Sequence, residues 1–158
     1  MSGRFQRITP FLWFDTQAEE AANYYVSIFP NSRITSITRY TKESAEASGR
    51  PLDSVMTAAF ELDGQQVTAL NGGPIFKFNE ALSLVVRCHD QAEIDRYWEK
   101  LSAGGDPNAQ ACGWLKDKYG LSWQIVPADI EELVQNPGSV AALMQMKKID
   151  IAAMKAAA

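Results

Sequence analysis

The chain has 158 residues, 46% of them hydrophobic and 22% charged, and this composition predicts one compact domain over residues 1–158. A formal net charge of -4 excludes the strongly basic surface that nucleic-acid binding needs, so no nucleic-acid partner is expected. No run reaches the roughly 20 apolar residues of a membrane helix, and the N-terminal stretch lacks the apolar part of a secretory signal. We therefore expect no membrane association and a cytoplasmic location.

The first elements along the chain are a strand and a helix. An apolar, aromatic-rich run indicates a strand from about Ile8 to Phe14, and Pro10 places its start at an edge or bulge. The helix that follows has Thr16 and Glu19 as a capping box. Its apolar residues share one face at helical spacing: Ala18, Ala21, Ala22, Tyr25 and Phe29.

Three more strands are predicted in the first half. The segment "RITSITRY" has β-branched residues at strand density, and a polar loop from about Thr41 to Ser54 follows it. The run "VMTAAFELDGQQVTALNGG" predicts a hairpin with Asp63-Gly64 as a type I′ turn. Alternation places Met56, Ala58, Phe60 and Leu62 on one face of its first strand.

The second half begins in the same manner. The run "LSLVVRC" indicates a strand of buried character, and "HDQAEIDRYWEKL" a helix with an Asp90/Glu93 capping box and an apolar face. The string "QAE" starts at both Gln17 and Gln91, each time after a strand, which suggests an internal repeat of about 74 residues. Two strands follow, in "AQACGWLKD" and "LSWQIVP", so one strand of this module is short or degenerate.

Two helices are predicted at the end of the chain. The first spans Asp129 to about Gln135, with an Asp129/Glu132 capping box. The second runs from about Ser139 to the C-terminus and packs on the domain or forms a dimer arm. Its apolar stripe contains Val140, Leu143, Met144, Lys147, Ile151 and Met154.

The doubled strand-helix-strands unit resembles the vicinal oxygen chelate superfamily of glyoxalases, bleomycin-resistance proteins and dioxygenases. The blocks "ITPFLWFDTQAEEAANYYVSIFPNSRI", "LNGGPIFKFNEALSLVV" and "CGWLKDKYGLSWQIVP" are similar to its PhnB-like group, which carries the label 3-demethylubiquinone-9 3-methyltransferase domain. The resemblance implies an α+β fold of paired βαβββ modules, at about 5–74 and 80–128, with C-terminal helices at 129–158. Their mixed sheet would curve into a cup with the helices outside, and the resemblance also implies a homodimer.

The metal enzymes of that superfamily use four ligand positions on the cup strands. Aligned through the helix aromatics, these positions fall near Pro10, at Asn71, at Ser83 or Leu84, and at Gln124. None is a carboxylate or imidazole, whereas a catalytic divalent ion generally needs three good protein ligands. The glycine pairs also lack the strand-turn-helix context of a nucleotide-type cofactor site. We therefore expect no metal and no cofactor.

The resemblance places a small-molecule ligand inside the cup. Polar groups there would come from Asn71, Ser83 and Gln124, with Phe76 and Phe78 near the mouth. Alternation along the last strand puts Trp123 on the face opposite Gln124, so Trp123 should pack as core, whereas Trp114 could line the cup or face the helices. This set predicts metal-independent binding of a flat, largely apolar or aromatic molecule.

Two alternatives to a binding protein stay open. An enzyme, either methyltransferase-like as the label says or a metal-dependent isomerase or dioxygenase with a degenerate site, would need a proton-transfer group. The sequence offers Asp117, Tyr119, Cys112 and His89. Their other interpretations are structural: His89 as a surface or capping residue, Asp117 as a solvated turn residue, and both Cys88 and Cys112 as buried thiols. In a third interpretation the cup is filled with side chains and the protein is a structural dimer.

Overall fold

Two units, each with its own mixed sheet, make up the chain. The computed structural model describes residues 5–158. The first unit ends at Lys77 and the second runs from Phe78 to Ala158. Each unit begins with a strand followed by a helix, and the C-terminal helices belong to the second unit. The fold is therefore the predicted α+β arrangement of paired modules, with the strands forming two mixed sheets.

The first unit has four strands in the order β1-β4-β3-β2 and two helices. Its elements are β1 (Phe11–Phe14), α1 (Ala18–Ile28), β2 (Arg33–Arg39), α2 (Lys42–Ser48), β3 (Val55–Leu62) and β4 (Gln65–Asn71). Strand β1 pairs in parallel with β4, and the other pairs are antiparallel. The position of β1 at the sheet edge agrees with the prediction from Pro10, which cannot donate to a ladder.

Helix α1 covers one face of this sheet. The buried helix residues are Ala18, Ala21, Ala22, Tyr25 and Ile28. Ile28 replaces the predicted Phe29, because the helix ends at Ile28 and Phe29 adopts an extended conformation. The Tyr25 ring stacks on Phe60 with centroids 6.3 Å apart. Small alanines therefore let the helix approach the sheet, and one aromatic pair fills the space between them.

The predicted Thr16/Glu19 capping box is wrong. Gln17 is at the N-cap position and makes no capping hydrogen bond with its side chain. Instead the Ala18 N–H donates to Asn71 Oδ1 over 2.8 Å. The start of α1 is therefore capped by a side chain from the end of β4, a long-range contact that local spacing does not reveal.

The predicted loop from Thr41 to Ser54 contains a helix, α2. Thr41 caps it in a reciprocal box with Ser44, and Gly49, with φ 75°, ends it. None of its residues is buried. The apolar periodicity that signals a helix is therefore missing from the sequence, which explains the incorrect prediction.

The hairpin of β3 and β4 is confirmed. Asp63 and Gly64 have φ of 48° and 78°, as a type I′ turn requires. Ala58, Phe60 and Leu62 are buried on the predicted face, while Met56 is half-buried. The strand alternation expected from the sequence is therefore present.

The second unit has three strands in the order β5-β7-β6. Its elements are β5 (Ser83–Cys88), α3 (Gln91–Ser102), β6 (Trp114–Lys116), β7 (Ser122–Pro127), α4 (Ile130–Leu133), α5 (Pro137–Leu143) and α6 (Ile151–Ala156), with a 3-10 turn at Pro107–Ala109. Strands β5 and β7 are parallel, and β6 and β7 are antiparallel. Only two strands follow the helix α3, as predicted. Strand β5 is less buried than expected, because Val85 is 49% exposed.

The Asp90 cap of α3 is confirmed, since Asp90 Oδ1 accepts from the Glu93 N–H over 2.9 Å. The Glu93 carboxylate reaches back to the His89 N–H instead of the Asp90 N–H. On the sheet side of α3, Ile94, Tyr97 and Leu101 are buried. Both modules thus begin with a strand and a helix, but the helix caps differ. The cap of α3 comes from a residue close in sequence, whereas the cap of α1 comes from a residue far along the chain.

Strand β6 is shorter than predicted because the chain turns before it. Cys112 and Gly113 have φ of 54° and 87°. Their N–H groups donate to the carbonyls of Met146 and Lys147, each over 2.8 Å. Cys112 therefore lies outside the strand, although the sequence predicted a strand over the whole of "AQACGWLKD".

The C-terminal region forms three short helices, not two. Asp129 makes no capping hydrogen bond with its side chain, so the predicted Asp129/Glu132 box is absent. The single stripe predicted from Val140 to Met154 is interrupted between α5 and α6, where the chain accepts the hydrogen bonds from Cys112 and Gly113. Asp150 then caps α6 by accepting from the Ala153 N–H.

No helix within residues 5–158 is long and apolar enough to cross a bilayer.

Candidate functional site

One face of the second unit's sheet carries three of the six predicted ligand residues, Ser83, Trp114 and Gln124. In the register, Trp114 pairs with Gln124 and Gln124 with Val85, while Lys116 pairs with Ser122 and Ser122 with Ser83. Paired residues point to the same side of a sheet, as do residues two apart. We call the resulting surface the open face: Ser83, Val85, Trp114, Lys116, Ser122 and Gln124.

The opposite face packs against α3 and forms the core of this unit. Leu115, Trp123 and Ile125 are at most 2% exposed there. The prediction that Trp123 is a core residue is therefore confirmed. Trp114, whose orientation the sequence left open, is half-buried and lies on the open face beside Gln124.

A polar pair lies at the centre of the open face. Gln124 Nε2 donates to Ser83 Oγ over 2.9 Å. This bond holds the amide in place and leaves Gln124 Oε1 as an acceptor and the Ser83 hydroxyl as a donor. Next to Ser83 in the register, Ser122 is 1% exposed and its hydroxyl has no hydrogen-bond partner within the described residues. Two neighbouring hydroxyls and one amide oxygen therefore keep hydrogen-bonding capacity.

A charged pair borders these groups. Lys116 Nζ forms a salt bridge with the Glu80 carboxylate. The hydrogen bond from Lys116 lowers the pKa of Glu80 below its ordinary value, and the charge of Lys116 acts in the same direction. Glu80 is therefore a charge partner for Lys116 and is poorly suited to act as a general acid.

Asp117 is a buried structural residue and not the solvated turn residue expected from the sequence. Its side chain is 2% exposed. Asp117 Oδ1 accepts from the N–H groups of Tyr119 and Leu121 over 2.9 and 3.1 Å. Its Oδ2 accepts from the Trp123 indole N–H over 2.9 Å. The carboxylate thus holds the β6–β7 turn and one core tryptophan, and none of these bonds directs it toward a ligand.

The four candidate proton-transfer residues are not gathered in one place. Asp117 and Tyr119 lie in the turn before β7, whereas His89 follows the last residue of β5. Because β5 and β7 run in parallel over six residues, these groups lie at opposite ends of the sheet, roughly 16 Å apart. Cys112 precedes β6, and its Sγ lies 4.0 Å from Met144 Sδ. His89 is exposed and its backbone contributes to the cap of α3, which agrees with its structural interpretation.

Asn71 lies on the helix-covered face of the first unit's sheet. It is 7% exposed, and in the register it pairs with the buried Phe14. Its Oδ1 accepts from the Ala18 N–H and its Nδ2 donates to the Val55 carbonyl over 3.2 Å. Both ends of the amide are therefore used in the fold, and we do not include Asn71 in the ligand site proposed below.

Phe76, in the segment after β4, contacts a tryptophan that the sequence analysis missed. Phe76 packs edge to face on Trp13 with ring centroids 4.9 Å apart. The Trp13 indole N–H donates to the Gly73 carbonyl over 2.9 Å. Alternation along β1 places Trp13 on the face opposite the buried Leu12 and Phe14, and this pattern could have identified it from the sequence. Phe78 is half-buried at the start of the second unit, and the location of either phenylalanine at the mouth of a cup stays a prediction.

The metal expected of the superfamily does not fit the residues present. No group of three His, Cys, Asp or Glu side chains within residues 5–158 is arranged to hold a metal ion. Of the aligned positions, Pro10 has no donor and both polar ends of Asn71 are already bonded. Ser83 and Gln124 bond to each other and supply only neutral oxygens, which are weak ligands for a catalytic ion.

Comparison with solved structures shows the type of fold. The fosfomycin resistance protein FosX from Mesorhizobium loti has a TM-score of 0.57 and 13% identity over 83% of this chain and 98% of its own. A glyoxylase/bleomycin resistance protein/dioxygenase domain from Frankia has a TM-score of 0.50 and 12% identity, covering 78% of this chain and 93% of its own. At such identities these likenesses establish the glyoxalase-type fold alone.

The family follows from closer similarity. The PhnB protein from Bacillus cereus is 37% identical, with a TM-score of 0.65, over 77% of this chain and 99% of its own. Residues 6–126 match the family model described as 3-demethylubiquinone-9 3-methyltransferase. The chain belongs to this family. A search of curated proteins gave no match.

Proposed function

We propose that this protein binds a small, largely apolar or aromatic molecule on the open face, without a metal ion. The observation that carries this proposal is the placement of Trp114 directly beside Gln124, whose amide is hydrogen-bonded to Ser83. An aromatic wall next to a few oriented polar groups is the usual composition of a small-molecule site. The indole offers a flat apolar surface, and the amide oxygen and hydroxyl select the ligand's polar atoms.

The side chains around Trp114 suit such a ligand. Val85, 49% exposed, adds an apolar contact on the other side of Gln124. A quinone or similar ring with a carbonyl oxygen would stack on Trp114 and accept a hydrogen bond from the Ser83 hydroxyl.

We favour binding over the catalysis that the family name describes. Acid-base chemistry needs its groups within hydrogen-bond reach of one reacting atom. Asp117 is occupied by three N–H donors, and His89 lies at the other end of the sheet. We further propose a cytoplasmic homodimer, as the family resemblance suggests, and sedimentation of the purified chain tests the dimer.

The test is a thermal-melting series on the whole chain, first treated with chelator. Simple quinones and flat aromatic compounds should raise the melting temperature, because a ligand that binds only the folded state stabilises it in proportion to the logarithm of its concentration. Gln124→Ala and Trp114→Leu should remove the rise, whereas Glu99→Ala, on the outer side of α3, should not. A saturable rise with a divalent metal that depends on Gln124 would contradict the metal-independent site, and no rise with any compound would contradict binding on the open face.

A further inference from the structure

A cavity lies in the first unit, at the end of the sheet where β4 finishes and β3 begins. Its volume is about 300 Å³, which is enough for a small organic molecule. Asn71, which lines it, points to the helix-covered side of the first unit's sheet, so this cavity contains none of the open-face residues. Its lining residues are Thr16, Glu19, Arg50, Pro51, Ser54, Val55 and Asn71.

The guanidinium of Arg50 is the positive group of this cavity. Its Nε is buried and has no hydrogen-bond partner, and within residues 5–158 no carboxylate lies close enough to form a salt bridge with it. An arginine side chain is always charged and presents donors only. A buried guanidinium N–H without a partner is unfavourable. The unpartnered Arg50 Nε–H therefore points to an acceptor that the chain itself does not supply.

The local backbone holds Arg50 in this position. It follows Gly49, which ends α2 with φ 75°, and it precedes Pro51. The Arg50 N–H donates to Ser48 Oγ over 3.2 Å. Opposite the side chain, Gly73 has φ 96°, and a Cβ there would lie 3.5 Å from Arg50 Nη1, an ordinary van der Waals contact. The glycine is therefore required by its backbone conformation and not by the space that the guanidinium occupies.

Glu19 supplies the opposite charge in the same cavity. It lies in the first turn of α1, and its carboxylate forms no ion pair within the described residues. Two opposite charges thus line one small space without contacting each other. Ser54 has already donated its hydroxyl hydrogen to the Pro51 carbonyl over 2.6 Å, so it can only accept from a ligand.

We propose that this cavity binds a small zwitterion of the amino-acid type. Its carboxylate bonds to the Arg50 guanidinium, for which paired oxygens are the matching geometry. Its ammonium group donates to Glu19 and Ser54, both of which can accept. A simple anion would face the Glu19 carboxylate, and a simple cation would face Arg50, so a ligand with both charges satisfies the cavity best.

The experiment is calorimetric titration of the whole chain with glycine, L-alanine and L-serine, with acetate and methylammonium as probes that carry one charge each. The amino acids should bind more tightly than either single-charge probe. Arg50→Met and Glu19→Gln should each weaken amino-acid binding by about tenfold or more, since each removes a charged hydrogen-bond partner. Glu20→Gln, one residue along α1 and outside the cavity, should bind as the wild type does.

Three results would overturn the proposal. The first is the absence of heat with every amino acid through the millimolar range. The second is acetate binding as tightly as glycine, which would indicate a plain anion site. The third is unchanged amino-acid binding in Glu19→Gln, whose partly exposed side chain can be replaced without loss of the fold. Arg50→Met should melt no lower than the wild type, because it removes an unpartnered buried N–H.

Discussion

The Trp123 indole N–H donates to Asp117 Oδ2 over 2.9 Å, and both side chains are at most 2% exposed. The same carboxylate accepts from the backbone of Tyr119 and Leu121. This one acid therefore joins the β6–β7 turn to the core under α3. It also explains why a tryptophan with a polar N–H can be buried in a sheet that is otherwise apolar on that side.

Asp117→Ala should strongly destabilise the fold. The substitution leaves three N–H groups without their acceptor, and we expect a loss of about 2–4 kcal/mol in the free energy of unfolding. Urea unfolding followed by tryptophan fluorescence measures it. Asp106→Ala, which removes a cap from an exposed 3-10 turn, is the control and should cost less. A stable Asp117→Ala protein that has lost ligand binding would instead indicate a role at the site.

Asn71→Ala should also lower the free energy of unfolding, by about 1–3 kcal/mol. It removes the cap of α1 and leaves the Val55 carbonyl without its donor. Thr16→Ala is the matched control, because Thr16 has the sequence position of a cap but makes no capping bond. Chemical denaturation of both variants measures the free energy of unfolding that each has lost. A larger loss in Thr16→Ala than in Asn71→Ala would contradict the assigned cap.

The parts of the fold that the sequence predicted well depend on local patterns. The Asp63-Gly64 turn and the Asp90 cap each involve residues close in sequence. The cap of α1 joins residues 53 positions apart, and the late start of β6 depends on carbonyls in the chain after α5. Contacts of that kind leave no periodic signal, so propensity and spacing could not reveal them.

In the candidate site, too, the sequence predicted the features that depend on local patterns and missed those that depend on long-range contacts. Alternation along β7 correctly separated Trp123 from Gln124, whereas the hydrogen bond between Gln124 and Ser83 depends on the register of β5 and β7, which no local pattern predicts. The opposing charges of Arg50 and Glu19 were missed, because they come from a loop and a helix that only the folded chain brings to one cavity. Residue type alone did not distinguish either from an ordinary surface charge.

Gly72→Ala should destabilise the first unit through a collision and not through backbone strain. A Cβ at Gly72 would lie 2.2 Å from Trp13 Cζ2, so the indole or the strand end must move. We expect a loss of about 1–3 kcal/mol, as for other overpacked positions. Trp13→Leu with Gly72→Ala should cost less than the sum of the single changes, because the two sites share one contact. Additive losses, measured by urea unfolding, would disprove the collision.

Cys88 should be an unreactive thiol whose burial makes stability depend on alkaline pH. Burial, followed by the charges of Glu93 and Asp90, raises the pKa of Cys88 from 9.0 to about 12. Between these values the unfolded chain loses the thiol proton and the folded chain keeps it, so the free energy of unfolding falls as pH rises. We expect the free energy of unfolding of Cys88→Ala, measured by urea unfolding across that pH range, to fall less steeply than that of the wild type. An equal slope in the two proteins would contradict the raised pKa of Cys88.

In the native protein a thiol reagent should label the half-buried Cys112 before Cys88, and Cys112→Ser should abolish that early labelling.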